Sequence, residues 1–415
     1  MEKMFIIKEN RRRNENGEKK LFKLRKKVNE MYFEKGIKKN KIVQKKGMSK
    51  TFVIKWTQSP EQDFMEDRRG WPNGKRRKWD DRTVNIIKEI HNSLMDDPTK
   101  FYIGATAIVQ EWRKEYPNVE IPPLRTIGRI LAYLHLSAKC KRGRNKGAAR
   151  YLCYPEHTIY NLLGGRVLEA DFIVKYFTNR TKPLSFIGFS FKKEPRIRYY
   201  KRTEGQTSRE FKRCCDYFLK RFEIPDYIKM DNGAAMIGSV SGKRNISVVM
   251  MYLLKHQIIP IFAVPRKPFS QASIEGNNSV FSRKFWNKIH FKSIDEIDEK
   301  LEWFNKASIR YLGYEPPREE KRVKKDFTPK VYFIRQVRED KETENGYINV
   351  LNEKIKISTS FINFFVLAEW NLNEERLYIH FEKEKKPEVI KEMEFKINKR
   401  SNKKYIKSGP LSFGI

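Results

Sequence analysis

Cysteine is scarce in this 415-residue chain: Cys140, Cys153, Cys214 and Cys215 are the four. Four thiols fit a reducing compartment better than a disulfide framework. Cys140, Cys153 and His157 lie close in sequence, but no CxxC pair occurs, so the ligand spacing of a structural zinc site is missing. Long apolar runs are absent too, since none reaches the roughly 18 residues of a membrane span. The opening MEKMFIIKENRRR has no signal-peptide apolar region. The expectation is a cytoplasmic, nucleoid-associated protein that engages no membrane. Negative charge is the other shortage: 51 Asp and Glu stand against 88 Lys and Arg, a formal net charge of +37. Such an excess concentrates a polyanion and favours phosphate contacts through counterion release. Charge alone names a partner class and no reaction.

What is present is enough for real cores, with 39% hydrophobic and 13% aromatic residues in a length that implies several domains. Residues 1–20 read as a basic flexible arm. Over 21–58, Leu21, Leu24, Val28 and Met31 recur at helical spacing, and KNKIVQKKGMSKTFVIKW reads as helix, turn, helix. Gly47 makes that turn, Ser49 caps the second helix, and Val53, Ile54 and Trp56 supply packing. The first 50 residues carry eighteen Lys and Arg against six Glu, as a DNA-facing helix-turn-helix unit would. A turn-rich linker spans 59–80. Residues 81–137 read as a second helix-turn-helix-like unit: Asp81 caps a helix with Val84, Ile87, Ile90 and Leu94 on one side. Thr126 to Leu136 would be its recognition helix, exposing Arg125 and Arg129; a three-helix packing domain has the same pattern. The run 138–164 is a basic linker in which Lys141, Arg142 and Arg144 could track phosphates.

After Gly164-Gly165 the pattern changes to RVLEADFIVKYF, LSFIGFSFKK and RIRYYKR, three strands of an antiparallel meander. Helices and strands then alternate to about residue 320, giving an α/β core with a mixed five-stranded sheet. Five short strands over 326–385 read as a small β-barrel, and 386–415 as a charged tail.

Three acids in the core stand where a fold rarely puts them idly. Asp171 interrupts an apolar strand, Asp231 ends YIKM at an Asn-Gly turn, and Glu275 sits on a helix after a Pro/Ser loop. Singly, these residues are also an edge-strand acid, a turn and a helix-start acid. Carboxylates gathered at one point raise one another's pKa, and divalent cations remove that penalty.

In this order and on these elements, Asp171 in LEADFI, Asp231 in KMDNG and Glu275 in QASIEGNNSVFSRKFW resemble the catalytic core of the retroviral-integrase superfamily. That superfamily includes the DDE transposases of bacterial insertion sequences. Asn278, three residues after Glu275, and LGYEPPRE at 312–319 also match family features. The resemblance is strong over 166–318 and weaker outside it. It departs in three places: 43 residues separate Asp231 from Glu275, longer than is common, with GSVSGKRN a tolerated polar insertion. Glu169-Ala170 replaces a frequent Trp, and Ser273-Ile274 replaces the usual Gly.

The resemblance implies a ribonuclease-H-like core, N-terminal helix-turn-helix units and a C-terminal SH3-like barrel. It also implies two Mg²⁺ ions (Mn²⁺ can substitute), with Asp171 bridging both and Asp231 and Glu275 each completing one. The activity implied is phosphodiester hydrolysis at the element ends, then 3′-OH attack on target DNA. Partners would be double-stranded DNA, further copies of the chain assembled on it, and accessory proteins. Arg283, Lys284 and Lys288 follow Glu275 and could bind flanking phosphates, or form a solvated helix face. No Arg/His/Tyr grouping of a tyrosine recombinase is evident. The competing readings are a non-catalytic DNA-binding repressor or domesticated transposase, and a metal-dependent nuclease on the same fold.

Overall fold

A computed structural model describes residues 21–62, 64, 79–137, 165–177, 182–191, 193–238, 242–266, 271–315, 326–340, 342, 344–384 and 386–398. The basic arm, most of the 59–80 linker and the basic run 138–164, with Lys141, Arg142, Arg144, Cys140, Cys153 and His157, lie outside the described residues. The chain divides into two compact units, Met1–Arg82 and Thr83–Ile415. Among the described residues no helix is long and apolar enough to cross a membrane.

In the first unit, α1 (21–33) is followed by α2 (Lys39–Lys46) and α3 (Lys50–Lys55). Gly47 closes α2 at φ +61, a left-handed conformation open to residues without Cβ. Ser49 then starts α3 by accepting the Phe52 N–H at 3.2 Å. Val28, Met31, Ile42, Val53 and Trp56 fill the small core. Ile54, expected to pack here, is instead 42% exposed.

Helix α4 (Asp81–Asp96) begins two residues before the second unit, and α5 (Ala105–Glu115) and α6 (Leu124–Tyr133) follow within it. Asp81 lies in the first turn of α4 rather than capping it from outside. Then come β1 (Val167–Lys175), β2 (Leu184–Phe191), β3 (Arg198–Thr203), α7 (Ser208–Arg221), β4 (Tyr227–Met230), α8 (Ala234–Ile237), α9 (Val248–Lys255) and β5 (Ile259–Phe262). Helix α10 (Ala272–Phe281) runs into a π-helical turn, Ser282–Trp286, before α11 (Ile294–Leu312). Strands β6 (Lys330–Gln336), β7 (Arg338–Glu339), β8 (Gly346–Val350), β9 (Glu353–Ile357), β10 (Phe365–Asn371), β11 (Arg376–Lys383) and β12 (Lys386–Glu394) follow among the described residues.

The expected meander forms: β1 pairs antiparallel with β2, and β2 with β3. On its other edge β1 pairs parallel with β4, and β4 with β5. Alternation along β1 sorts its side chains. Leu168, Ala170 and Phe172 meet the core under α7 and α9, while Ile173 belongs to the core under α10 and α11. Glu169 and Asp171 share the Ile173 face by the two-residue period of a strand.

Two expectations are corrected. Residues 81–137 are not a body of their own. Ile87, Ile90, Phe101, Ile108 and Trp112 share one core with Phe186, Tyr200, Phe281, Phe285 and Phe304. Tyr102 stacks on Tyr311 at 4.0 Å, and its hydroxyl lies 2.8 Å from Ser308 Oγ. The apolar stripes of these helices were legible, but a stripe does not name what covers it. Nor do residues 326–385 form a free-standing barrel. Strand β6 pairs parallel with β5 and antiparallel with β10, so the core sheet runs to nine strands, in the order β12-β11-β10-β6-β5-β4-β1-β2-β3. Strands β7, β8 and β9 make a separate small sheet. The first part of the charged tail is edge strand β12, whose Lys and Glu residues suit an edge that must not recruit another chain.

Candidate active site

Strand β1 places Asp171, half-buried, on an interior strand of the nine-stranded sheet, third from one edge and flanked by β2 and β4. An edge-strand acid facing water is thereby excluded. Asp231 follows directly on β4, at the carboxyl end of a parallel strand, where α/β sheets build their sites. The register aligns the two acids. Glu169 and Lys229 are paired across β1 and β4, and each aspartate lies two residues beyond one of them. The Glu169 carboxylate and Lys229 ammonium are both buried and 3.7 Å apart. Burial, only partly offset by Glu169, pulls the Lys229 pKa down.

Glu169 has a second task. Its Oε2 accepts the Ile274 N–H at 2.8 Å, a donor that the start of α10 would otherwise leave unsatisfied. One buried carboxylate thus joins β1, β4 and the helix carrying Glu275. Further along α10, Asn278 donates from Nδ2 to Asp171 Oδ2 at 2.9 Å. Asn277 donates to Ser190 Oγ and accepts from Arg198 Nε at 2.9 Å, and Arg198 in turn donates to the Tyr102 hydroxyl at 2.8 Å. The helix is therefore held on β1, β2 and β3 together.

Asp171 is held up to about 7 against an ordinary 3.8, first by burial and second by the charge of Asp231. Hydrogen bonds from Asn278 and the Phe172 N–H pull it back, and Glu275 adds a smaller upward push. Glu275 itself lies exposed on α10, one position off the buried stripe of Ile274, Phe281 and Phe285. Opposite Asp171 in the ladder is Gly188, where a Cβ would meet Tyr200 Cε1 at 2.8 Å. The missing side chain admits Tyr200, whose buried hydroxyl has no hydrogen-bond partner and whose pKa burial raises well above the usual tyrosine range.

The structure thus brings Asp171, Asp231 and Asn278 together, with Glu275 standing off. Among the described residues, no three Asp, Glu, His or Cys side chains converge enough to hold a metal ion. The donor chemistry fits a hard divalent cation all the same. Two carboxylates face each other at electrostatic cost, and beside them Asn278 Oδ1 is a buried amide oxygen without a partner.

Arg125 and Arg129 are exposed on α6, as expected. Arg283 and Lys288 are exposed after α10 and Lys284 is half-buried; burial, then Lys288 and Arg283, lower the Lys284 pKa. Sequence reasoning missed Glu169, Lys229, Asn277, Arg198 and Arg335 as parts of this site. For the first two a signal existed: LEAD and KMD each place a charge two residues before the aspartate, and the charges are opposite.

Arg335, on β6, is buried, and burial pulls its pKa down to about 9. It donates to Asn232 Oδ1 at 3.0 Å and to the carbonyls of Ala263, Ile334 and Asn349 at 3.2, 2.8 and 2.8 Å.

No family model and no curated protein matches the sequence. Among solved structures, the catalytic core domain of BIV integrase is similar at 11% identity and a TM-score of 0.25, over 35% of this chain and 82% of that one. A simian T-cell lymphotropic virus intasome is similar at 12% identity and a TM-score of 0.32, over 72% and 89% of the two chains. The NurA nuclease from Sulfolobus solfataricus is similar at 10% identity and a TM-score of 0.17, over 66% and 76%.

Proposed function

We propose that this chain is a DNA transposase or integrase of the DDE type, with Asp171, Asp231 and Glu275 its catalytic acids. The observation that carries the reading is the pair of aspartates at matching positions of two adjacent parallel strands, one of them held near pKa 7 by burial and by the other. A fold tolerates such mutual repulsion poorly unless a cation or a proton relieves it. The β3-β2-β1-β4-β5 order, antiparallel and then parallel, supports a ribonuclease-H-like core.

Asp171 and Asp231 would hold Mg²⁺ or Mn²⁺, and Glu275 would complete the set by turning inward from its exposed position. When bound, two such ions stabilise the attacking and leaving oxygens of an in-line phosphoryl displacement. Asn278 orients Asp171 by donating to Oδ2 of its carboxylate. Arg283, Lys284 and Lys288 crowd one another at the end of α10 and would take the phosphates flanking the cut. Arg125 and Arg129 on α6 would contact the same duplex, with the first unit and the basic run 138–164 adding grip. The net charge of +37 supports DNA as the partner. Two element ends and a target call for several copies of the chain on one DNA, and accessory proteins fit the same assembly.

A Mg²⁺-dependent strand-joining assay on the full chain tests the reading. Joining that is lost in Asp231→Ala and Asp171→Asn supports it. Cutting without joining points to a nuclease, and DNA binding alone to a repressor; either result overturns it.

A further inference from the structure

We propose that Arg335 is a positioning residue for Asp231, so that the C-terminal strands form part of the metal-binding apparatus. This inference rests on the reading of Asp171 and Asp231 as metal ligands. Its basis is a closed hydrogen-bond circuit around the turn after β4. The Ala263 N–H donates to the Met230 carbonyl at 2.9 Å, tying the residue after β5 to the last residue of β4. The Ala263 carbonyl then accepts from Asn232 Nδ2 at 2.5 Å and from Arg335 Nη1 at 3.2 Å. Arg335 Nη2 closes the circuit on Asn232 Oδ1 at 3.0 Å.

The circuit fixes Asn232, and with it the carboxylate one residue before. A Cβ on Gly233 would stand 3.1 Å from both Asp231 oxygens, so that carboxylate lies folded back over the turn. Where the turn goes, Asp231 goes. A guanidinium can serve two acceptors in a fixed plane, and an ammonium cannot reproduce that fork. The described acceptors of Arg335 are all neutral, so its burial is not repaid by an ion pair. A buried cation kept on those terms is better explained by what it orients than by stability, since apolar replacement of buried charge is often neutral or stabilising.

The test is Mn²⁺ affinity, read by electron paramagnetic resonance on the full-length chain and on its variants Arg335→Lys, Arg335→Met and Asn232→Ala. Asp171→Asn and Asp231→Asn serve as controls. Circular dichroism melts establish that each variant is folded at the temperature used. The expected result is a loss of about ten- to hundredfold in affinity in the three variants, the size usual for groups that orient metal ligands. Combining Asn232→Ala with Arg335→Lys should lose little more, because both open one circuit. Folded variants that bind Mn²⁺ as the unaltered protein does overturn the inference and leave the metal reading intact. An unaltered protein whose Mn²⁺ binding is indifferent to both Asp→Asn controls overturns the reading, and the inference with it.

Discussion

Asp171 keeps its proton to a higher pH than an aspartate in solvent does, and this has a measurable sign. Its pKa is about 7 in the fold against 3.8 as the ordinary value, so between those limits the folded chain binds the extra proton and the unfolded chain does not. Stability from this group is therefore full below about pH 4 and falls as pH rises to about 7. In EDTA the melting temperature should decline across that window, and Asp171→Asn should lose the decline and melt higher than the parent at pH 8. A parent whose melting does not respond would mean that Asp171 is already ionised in the fold. The two aspartates were legible from an apolar strand and a turn taken in order, and Asn278 only through the family resemblance. The Glu169–Lys229 pair was not legible in the same way. Its members are far apart in sequence and meet only through the β1–β4 register, which no local pattern states.

At the level of elements, the site depends on how α10 is seated. Glu169→Ala removes the acceptor for the Ile274 N–H and the carboxylate beside the buried Lys229 ammonium, at a cost of about 3–5 kcal/mol by the usual penalty for breaking a buried pair. Urea denaturation should register most of that loss. Replacing both members together, as Glu169→Gln with Lys229→Met, should cost clearly less. Gly188→Ala tests the opposite side of Asp171. The added methyl has to displace the Tyr200 ring and should destabilise by about 1–3 kcal/mol, the range of a small overpacking error. An unchanged denaturation midpoint would show that Tyr200 can move away freely. Most strands were legible from their alternation or apolar runs, as were the turn and cap at Gly47 and Ser49, but β12 was not, because its Lys and Glu residues read as a charged tail. The partner of β6 was not, since VYFIRQV alternates identically whether it lines a small barrel or extends a large sheet.

Over the whole molecule, the division at Arg82 and the union of everything after it make opposite forecasts for truncation. A fragment of residues 83–415 should keep a cooperative melt, because among the described residues its cores are built from its own side chains. A fragment ending at residue 320 should not. It bares the edge of β5 and opens a core that includes Val331, Phe333, Val366 and Trp370. Soluble, cooperatively melting protein from that shorter fragment would refute the continuity of the sheet.

The seating of α4, α5 and α6 on the sheet has a consequence for where a cut would fall. Tyr102 and Trp112 bolt those helices to the same aromatic layer that lies beneath α10 and α11. A duplex gripped by Arg125 and Arg129 would then be clamped in a jig instead of hanging from a tether. The offset between grip and scissile bond would be a dimension of the folded protein, unaltered by how long or supple the neighbouring linkers are.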